Sequence, residues 1–131
     1  MIGLDGNVLL RHLIQDDPVQ SPRATSFLTT RLTEDEPGFV SVVALAEIVW
    51  VLERTYRFSV GEIAGAIERM LAIDTLMIEN EQEVFFALTV LKSGLGSFAD
   101  ALIAALGAKA GCAYTVTFDR RALQIPGFAA P

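Results

Sequence analysis

Four isolated carboxylates stand where the chain can do chemistry: Asp5, Glu47, Asp100 and Asp119. Asp5 follows the short apolar run Met1-Ile-Gly-Leu and precedes Gly6-Asn7 and a second apolar run. Asp119 follows Ala113-Tyr-Thr-Val-Thr-Phe118, the clearest strand pattern in the chain. Both sit where a strand ends and a helix begins, and open α/β sheets bind ligands just beyond the carboxyl ends of their strands. Either could also be a helix N-cap and nothing more. Glu47 lies in Val42-Val-Ala-Leu-Ala-Glu-Ile-Val-Trp-Val-Leu52, with Val43, Ala44, Trp50 and Val51 at helical spacing around it. A helix apolar on every side is expected to be buried, so Glu47 is expected to need a cation. An internal salt bridge, for instance to Arg11, is the plainer alternative. Asp100 stands three residues after Ser97, the spacing of a capping box.

Taken together these acids contain no histidine or cysteine partner. Carboxylates brought close disfavour each other's ionisation, so a cluster of them needs positive charge at its centre. Oxygen-only ligands select a hard ion, Mg²⁺ or Mn²⁺. Such an ion activates water and stabilises charge on a phosphodiester during in-line displacement.

The elements that must position these acids follow from local signals. A strand ends at Asp5, and a helix covers 7–14 until Asp16-Asp17-Pro18. Ser21-Pro22 predicts a helix start, with serine as cap and proline at the first helical position, running to about 33. A charged loop at 34–38 feeds a brief strand at 39–40, and Ser41 caps the helix carrying Glu47. Ser59-Val-Gly-Glu62 is a capping box for a helix ending near 72. A strand at 75–78 leads to a helix that Asn80 is expected to cap, and Ser97 starts the helix carrying Asp100. Gly111 stops that helix, the strand at 113–118 follows, and Phe128 could add an edge strand. Alternating strands and helices predict an α/β fold of four to five short parallel strands between helices, in one domain over 1–131.

The bulk composition narrows the class. The net charge of −6 argues against a general nucleic-acid coat, which needs a basic face. It leaves room for metal-assisted phosphodiester binding and for a basic protein partner. Hydrophobic content is 52%, yet no apolar run reaches the roughly 18 residues of a membrane span. The excess belongs in the core or at an interface. The N-terminus has no basic region or cleavage site of a signal peptide, and the single cysteine, Cys112, excludes a disulfide framework, so a reducing cytoplasm is the expected location. Cys112 is expected to be a small buried hydrophobe. Trp50 and Phe85-Phe86 are expected in the core or a dimer interface.

The motifs Leu4-Asp5-x-Asn7-Val8-Leu9, Ala46-Glu47, Phe98-Ala99-Asp100-Ala101-Leu102-Ile103-Ala104-Ala105 and Val116-Thr117-Phe118-Asp119-Arg120 occur in this order across nearly the whole chain. In them the chain resembles the PIN-domain ribonucleases, and among these the VapC-type toxins of bacterial toxin–antitoxin pairs. The resemblance implies a metal-dependent endoribonuclease. It implies that Asp5 and Asp100 are the principal Mg²⁺ (or Mn²⁺) ligands, and that Glu47 and Asp119 complete the pocket. It also implies a homodimer and a cognate antitoxin that plugs the site with a basic segment. Two positions depart from the pattern: relatives carry threonine or serine where this chain has Gly6, and often an acid where it has Ser97. Weaker metal binding or slower cleavage is the expected consequence.

Asn7, Arg11, Arg120 and Arg121 are candidate contacts to RNA, the arginines through phosphate. Each arginine has a plainer reading, as an ion-pair partner or a solvated turn. His12 lacks an acid partner in sequence and is expected to be a partly exposed helix residue. Two other readings remain. One is a catalytically weak domain of this family that serves as a partner-binding module. The other is a phospho-acceptor receiver-like domain, which would need a lysine at a late strand end, whereas Lys92 and Lys109 fall in predicted helices.

Overall fold

Ile2 and Gly3 form the first strand, β1, and the chain turns at Asp5 into helix α1, Gly6–Leu13, in a computed structural model that describes all residues 1–131. Helix α2, Gln20–Ser26, runs on into a π-helical turn, Phe27–Arg31. Strand β2, Gly38–Val40, leads to α3, Val42–Arg54, and α4, Val60–Leu71, and then to β3, Leu76–Ile78. After these come α5, Glu81–Ser93, α6, Phe98–Lys109, β4, Thr115–Val116, and β5, Phe128–Ala129. The fold is α/β, with six α-helices and strands that pair only in parallel. The strands divide into a three-stranded sheet in the order β1-β2-β3 and a two-stranded sheet of β4 and β5. The chain forms two compact units, Met1–Glu79 and Asn80–Pro131.

In the first unit β2 is the central strand, with Gly38 opposite Ile2 on one side and Leu76 on the other. A Cβ on Gly38 would stand 2.7 Å from Leu4 Cδ1 and 2.9 Å from Leu32 Cδ1, so only glycine lets these leucines close over the strand. Leu9, Val40, Leu45, Ile48, Leu52, Ile67 and Met70 are fully buried and make the core of this unit. Ser41 caps α3 as expected, its Oγ accepting from Ala44 N–H at 3.1 Å, and Glu79 Oε1 accepts from Val42 N–H at 3.0 Å. Two of the four first-turn amides are thus satisfied. Ser41→Ala is expected to lower stability by about 1 kcal/mol, read as a fall of a few degrees in Tm. The Ser59–Glu62 capping box forms in full, and the backbone amide of Ser59 holds the Glu62 carboxyl below its ordinary value.

Ser21 does not cap α2. It is buried, and its hydroxyl donates to Ile14 O at 3.2 Å, while Asp17 Oδ1 accepts from Val19 and Gln20 N–H at 2.9 and 2.6 Å. Those amides, Gln20 first, hold the Asp17 carboxyl below the usual range. The acid two residues before Val19 wins over the serine because its oxygen reaches both free amides. The helix then widens into the π turn, where Thr29 and Thr30 hydroxyls donate back to Thr25 O and Ser26 O at 2.8 and 2.6 Å. Hydroxyls bonded to the carbonyl four residues back compete with the helical ladder and loosen it.

In the second unit α5 and α6 pack together around Val84, Ala87, Phe98 and Ala101. Asn80 does not cap α5 with its side chain. It is left-handed (φ 52°), and its Oδ1 accepts from Lys109 Nζ at 2.6 Å, the same ammonium that pairs with Glu83 at 2.9 Å. Gly94 closes α5 at φ +76°, a conformation that favours glycine. The strand expected over 113–118 is regular only at β4, and β5 pairs with it from Phe128, the position where an edge strand was expected. Cys112 is exposed, not buried, because it lies in the loop after Gly111 and not within the strand.

Candidate active site

Asp5 occupies the N-cap position of α1, at the carboxyl end of β1, with φ −77° and ψ 150°. It does not act as a cap: its carboxylate accepts no hydrogen bond from the helix amides, and it is exposed. Both oxygens are therefore free for a ligand. Gly6 beside it is buried, and a Cβ there would lie 3.2 Å from Ile48 Cγ1 and 3.4 Å from Ala44 O. The glycine lets α1 come close against α3.

Glu47 is not buried. Of α3, Ala44, Leu45, Ile48, Val49 and Leu52 face the core, while Val43, Glu47, Trp50 and Arg54 are exposed. These four recur at three- and four-residue spacing, so they form one solvent-facing stripe. Val43 is 74% and Trp50 58% exposed, so this face mixes two large apolar side chains with the charged Glu47 and Arg54. Uniform apolarity marked a helix with two buried-type faces, and only one of them is covered. Trp50 is therefore not a core residue, and the Arg54 guanidinium lies over its ring at 5.9 Å. Arg11 does not pair with Glu47. It bonds Gln20 Oε1 at 2.8 Å and pairs with Asp16 and Asp17 at 3.6 and 3.9 Å. Glu47 has no hydrogen-bond or ion-pair partner in the protein.

In the second unit Ser97 caps α6, its Oγ accepting from Asp100 N–H at 3.1 Å. The reciprocal half of a capping box does not form, so the half-exposed Asp100 carboxylate has no protein donor. Asp119 differs from the other three. Its Oδ1 accepts from Arg121 N–H at 2.8 Å and from Ala122 N–H at 3.3 Å, which caps the single 3₁₀ turn at Ala122–Gln124. One oxygen of Asp119 is committed to the backbone. Arg120 and Arg121 are exposed beside it.

No three histidine, cysteine, aspartate or glutamate side chains are drawn together as a metal-binding group. Asp5 and Glu47 in the first unit, and Asp100 in the second, are each oxygen donors that the protein does not engage, the donor type a hard divalent ion takes.

A concavity of the first unit, about 870 Å³, opens beside Asp5 and is walled by the start of α1, by α2 and by the π turn. Asn7 and Arg11 line it, as do Arg23, Phe27 and Arg31. Sequence reasoning singled out the first two and missed the last three. Their signal was the spacing i, i+4, i+8 along the helix expected to run to about residue 33. His12 faces away from acid–base work; its Nδ1 meets Thr25 Oγ1 at 2.9 Å in a half-buried position. Lys92 and Lys109 lie in α5 and α6, so the lysine that a receiver-like domain needs at a strand end is missing.

The fold is parallel α/β, with an unpartnered aspartate at the end of its first strand, a free glutamate on α3 and, in the second unit, a free aspartate on α6. The PIN domain family matches residues 2–127, and the chain belongs to that family. The PIN domain is generally a nuclease fold, and its members are typically metal-dependent. No curated protein matches the chain. No helix is long and apolar enough to cross a membrane.

Proposed function

We propose that this chain is a metal-dependent endoribonuclease, the toxin of a VapC-type toxin–antitoxin pair. The observation that carries the proposal is the state of Asp5. It stands at a strand end, in the N-cap position, with no donor from the protein. An acid that only capped the helix would accept at least one of those amides. Asp5 and Asp100 would be the principal ligands of Mg²⁺ or Mn²⁺, with Glu47 and Asp119 completing the pocket. When bound, the ion lowers the pKa of a coordinated water and offsets charge on the phosphodiester.

The protein's own residues supply position and charge. Asn7 is exposed one residue past Gly6, where its amide can hold substrate. Arg11 is held by Gln20, Asp16 and Asp17, so it would meet a phosphate only by exchanging those partners. Arg120 and Arg121 supply the same chemistry beside Asp119. The free carboxylates also suit a basic antitoxin segment, and the exposed Val43 and Trp50 on α3 suit a second copy of the chain. The cytoplasm is the compartment that fits an RNA substrate and a single free cysteine.

The test is incubation of purified, antitoxin-free protein with total cellular RNA, in Mg²⁺ or Mn²⁺ and in chelator, beside Asp100→Asn. Discrete fragments are expected with metal and absent with chelator or in the variant. Folded protein that cuts nothing with either metal would overturn the nuclease proposal. A catalytically weak partner-binding module would take its place.

A further inference from the structure

The groove beside Asp5 carries a pattern that the carboxylate chemistry does not use. Arg23, Phe27 and Arg31 repeat every four residues along α2 and the π turn, and all three line the groove. A π turn holds more residues per turn than an α-helix, so residues four apart stay on one face through it. Arg23 and Arg31 are exposed and have no hydrogen-bond or ion-pair partner, whereas Arg11 on the opposite wall is held by three side chains. Phe27 stands midway between the two arginines in the chain, is half-buried and lines the same groove. The two arginines are eight residues apart, about two helical turns. On a chain of net charge −6 this is a local cationic strip with an aromatic ring at its centre.

We infer that this groove binds a single-stranded RNA segment and leads it to Asp5, with Arg23 and Arg31 holding phosphates and Phe27 stacking a base between them. The inference rests on the nuclease reading for the purpose of the groove, not for its binding chemistry. Guanidinia spaced along a strand's path and an aromatic ring between them are the two components of sequence-tolerant single-strand binding. A duplex offers its phosphates but no free base face, so the phenylalanine selects single strands. An acidic peptide would be drawn by the arginines, yet would make no use of a ring between them.

The probe is a fluorescein-labelled eight-nucleotide RNA of mixed sequence, its binding followed by anisotropy in chelator so that no cleavage occurs. Arg23→Ala/Arg31→Ala is expected to weaken binding tenfold or more. It should also flatten the dependence of log affinity on log salt by about 1.4, since each lost phosphate contact on a single strand removes about 0.7. Phe27→Leu is expected to weaken binding about fivefold or more with the salt slope unchanged. Arg23→Lys/Arg31→Lys should restore the slope, which separates charge from any structural effect. Unchanged affinity and slope in the alanine pair would overturn the inference. So would equal binding of a duplex of the same sequence, or displacement of the RNA by polyglutamate at equal charge concentration. Binding in chelator by a protein that never cleaves RNA would leave the groove standing and remove the nuclease reading. Cleavage that survives with unchanged binding in the alanine pair would do the reverse.

Discussion

Asp5→Asn is expected to reduce metal-dependent RNA cleavage by about 10²- to 10⁴-fold while leaving the fold intact. A bound divalent ion contributes several kcal/mol of transition-state charge stabilisation, and each 1.36 kcal/mol is tenfold in rate. The amide keeps the shape of the side chain and removes the charge that draws the ion. Stability should hold because the Asp5 carboxylate accepts no hydrogen bond from the protein. A surface substitution of that kind stays within about 0.5 kcal/mol. Asp100→Asn should behave alike for the same reason. Asp119 supplies the contrast: asparagine there can still accept from Arg121 and Ala122 N–H, whereas alanine cannot. Thermal melts beside the cleavage rates check the pairing of effects. An Asp5→Asn protein that cuts RNA at the parent rate would remove Asp5 from the site.

Gly6→Thr, which adds the hydroxyl side chain that the family resemblance leads one to expect here, is expected to destabilise the protein by up to about 3 kcal/mol, the range for overfilling a packed contact. A bare Cβ at Gly6 already stands 3.2 Å from Ile48 Cγ1 and 3.4 Å from Ala44 O, tighter than most such contacts. The two γ atoms of threonine add to that crowding, and Ile48 is fully buried with little freedom to move. Ile48→Ala alone is expected to cost about 2–5 kcal/mol through its cavity. Combined with Gly6→Thr the two losses should fall short of their sum, because each substitution accommodates the other. Denaturant melts of the two single variants and the double variant measure this. Strict additivity would mean that α1 and α3 do not press on each other at Gly6. The expectation of weak metal binding at this position must therefore be read per folded molecule. The glycine has a packing reason of its own, and Gly6→Ser brings the hydroxyl with less bulk.

Much of the local architecture was legible in the sequence because its causes act over three or four residues. Ser41, the Ser59–Glu62 pair and Ser97 each satisfy amides within their own first turn, so their helices begin where the residues say. Asp5 at a strand end followed from the same short-range grammar, as did the α/β alternation. Where two residues competed locally, sequence was a poorer guide: Ser21 and Asp17 both offered a cap, and only the backbone path showed which oxygen met the amides.

Burial is another matter, because it depends on what the rest of the chain covers. Glu47 was expected to be buried since every helical neighbour is apolar, but the face it shares with Val43 and Trp50 is open. Cys112 was expected inside, and the loop that follows Gly111 leaves it out. Only the fold shows that Asp5 and Asp100 are free of cap hydrogen bonds while Asp119 is held by two. Side-chain type and spacing thus determined which residues can do chemistry and where helices start. Tertiary packing decided which of them are free, which faces are open, and that Arg23, Phe27 and Arg31 line a groove with Asp5, because those outcomes depend on contacts between segments distant in sequence.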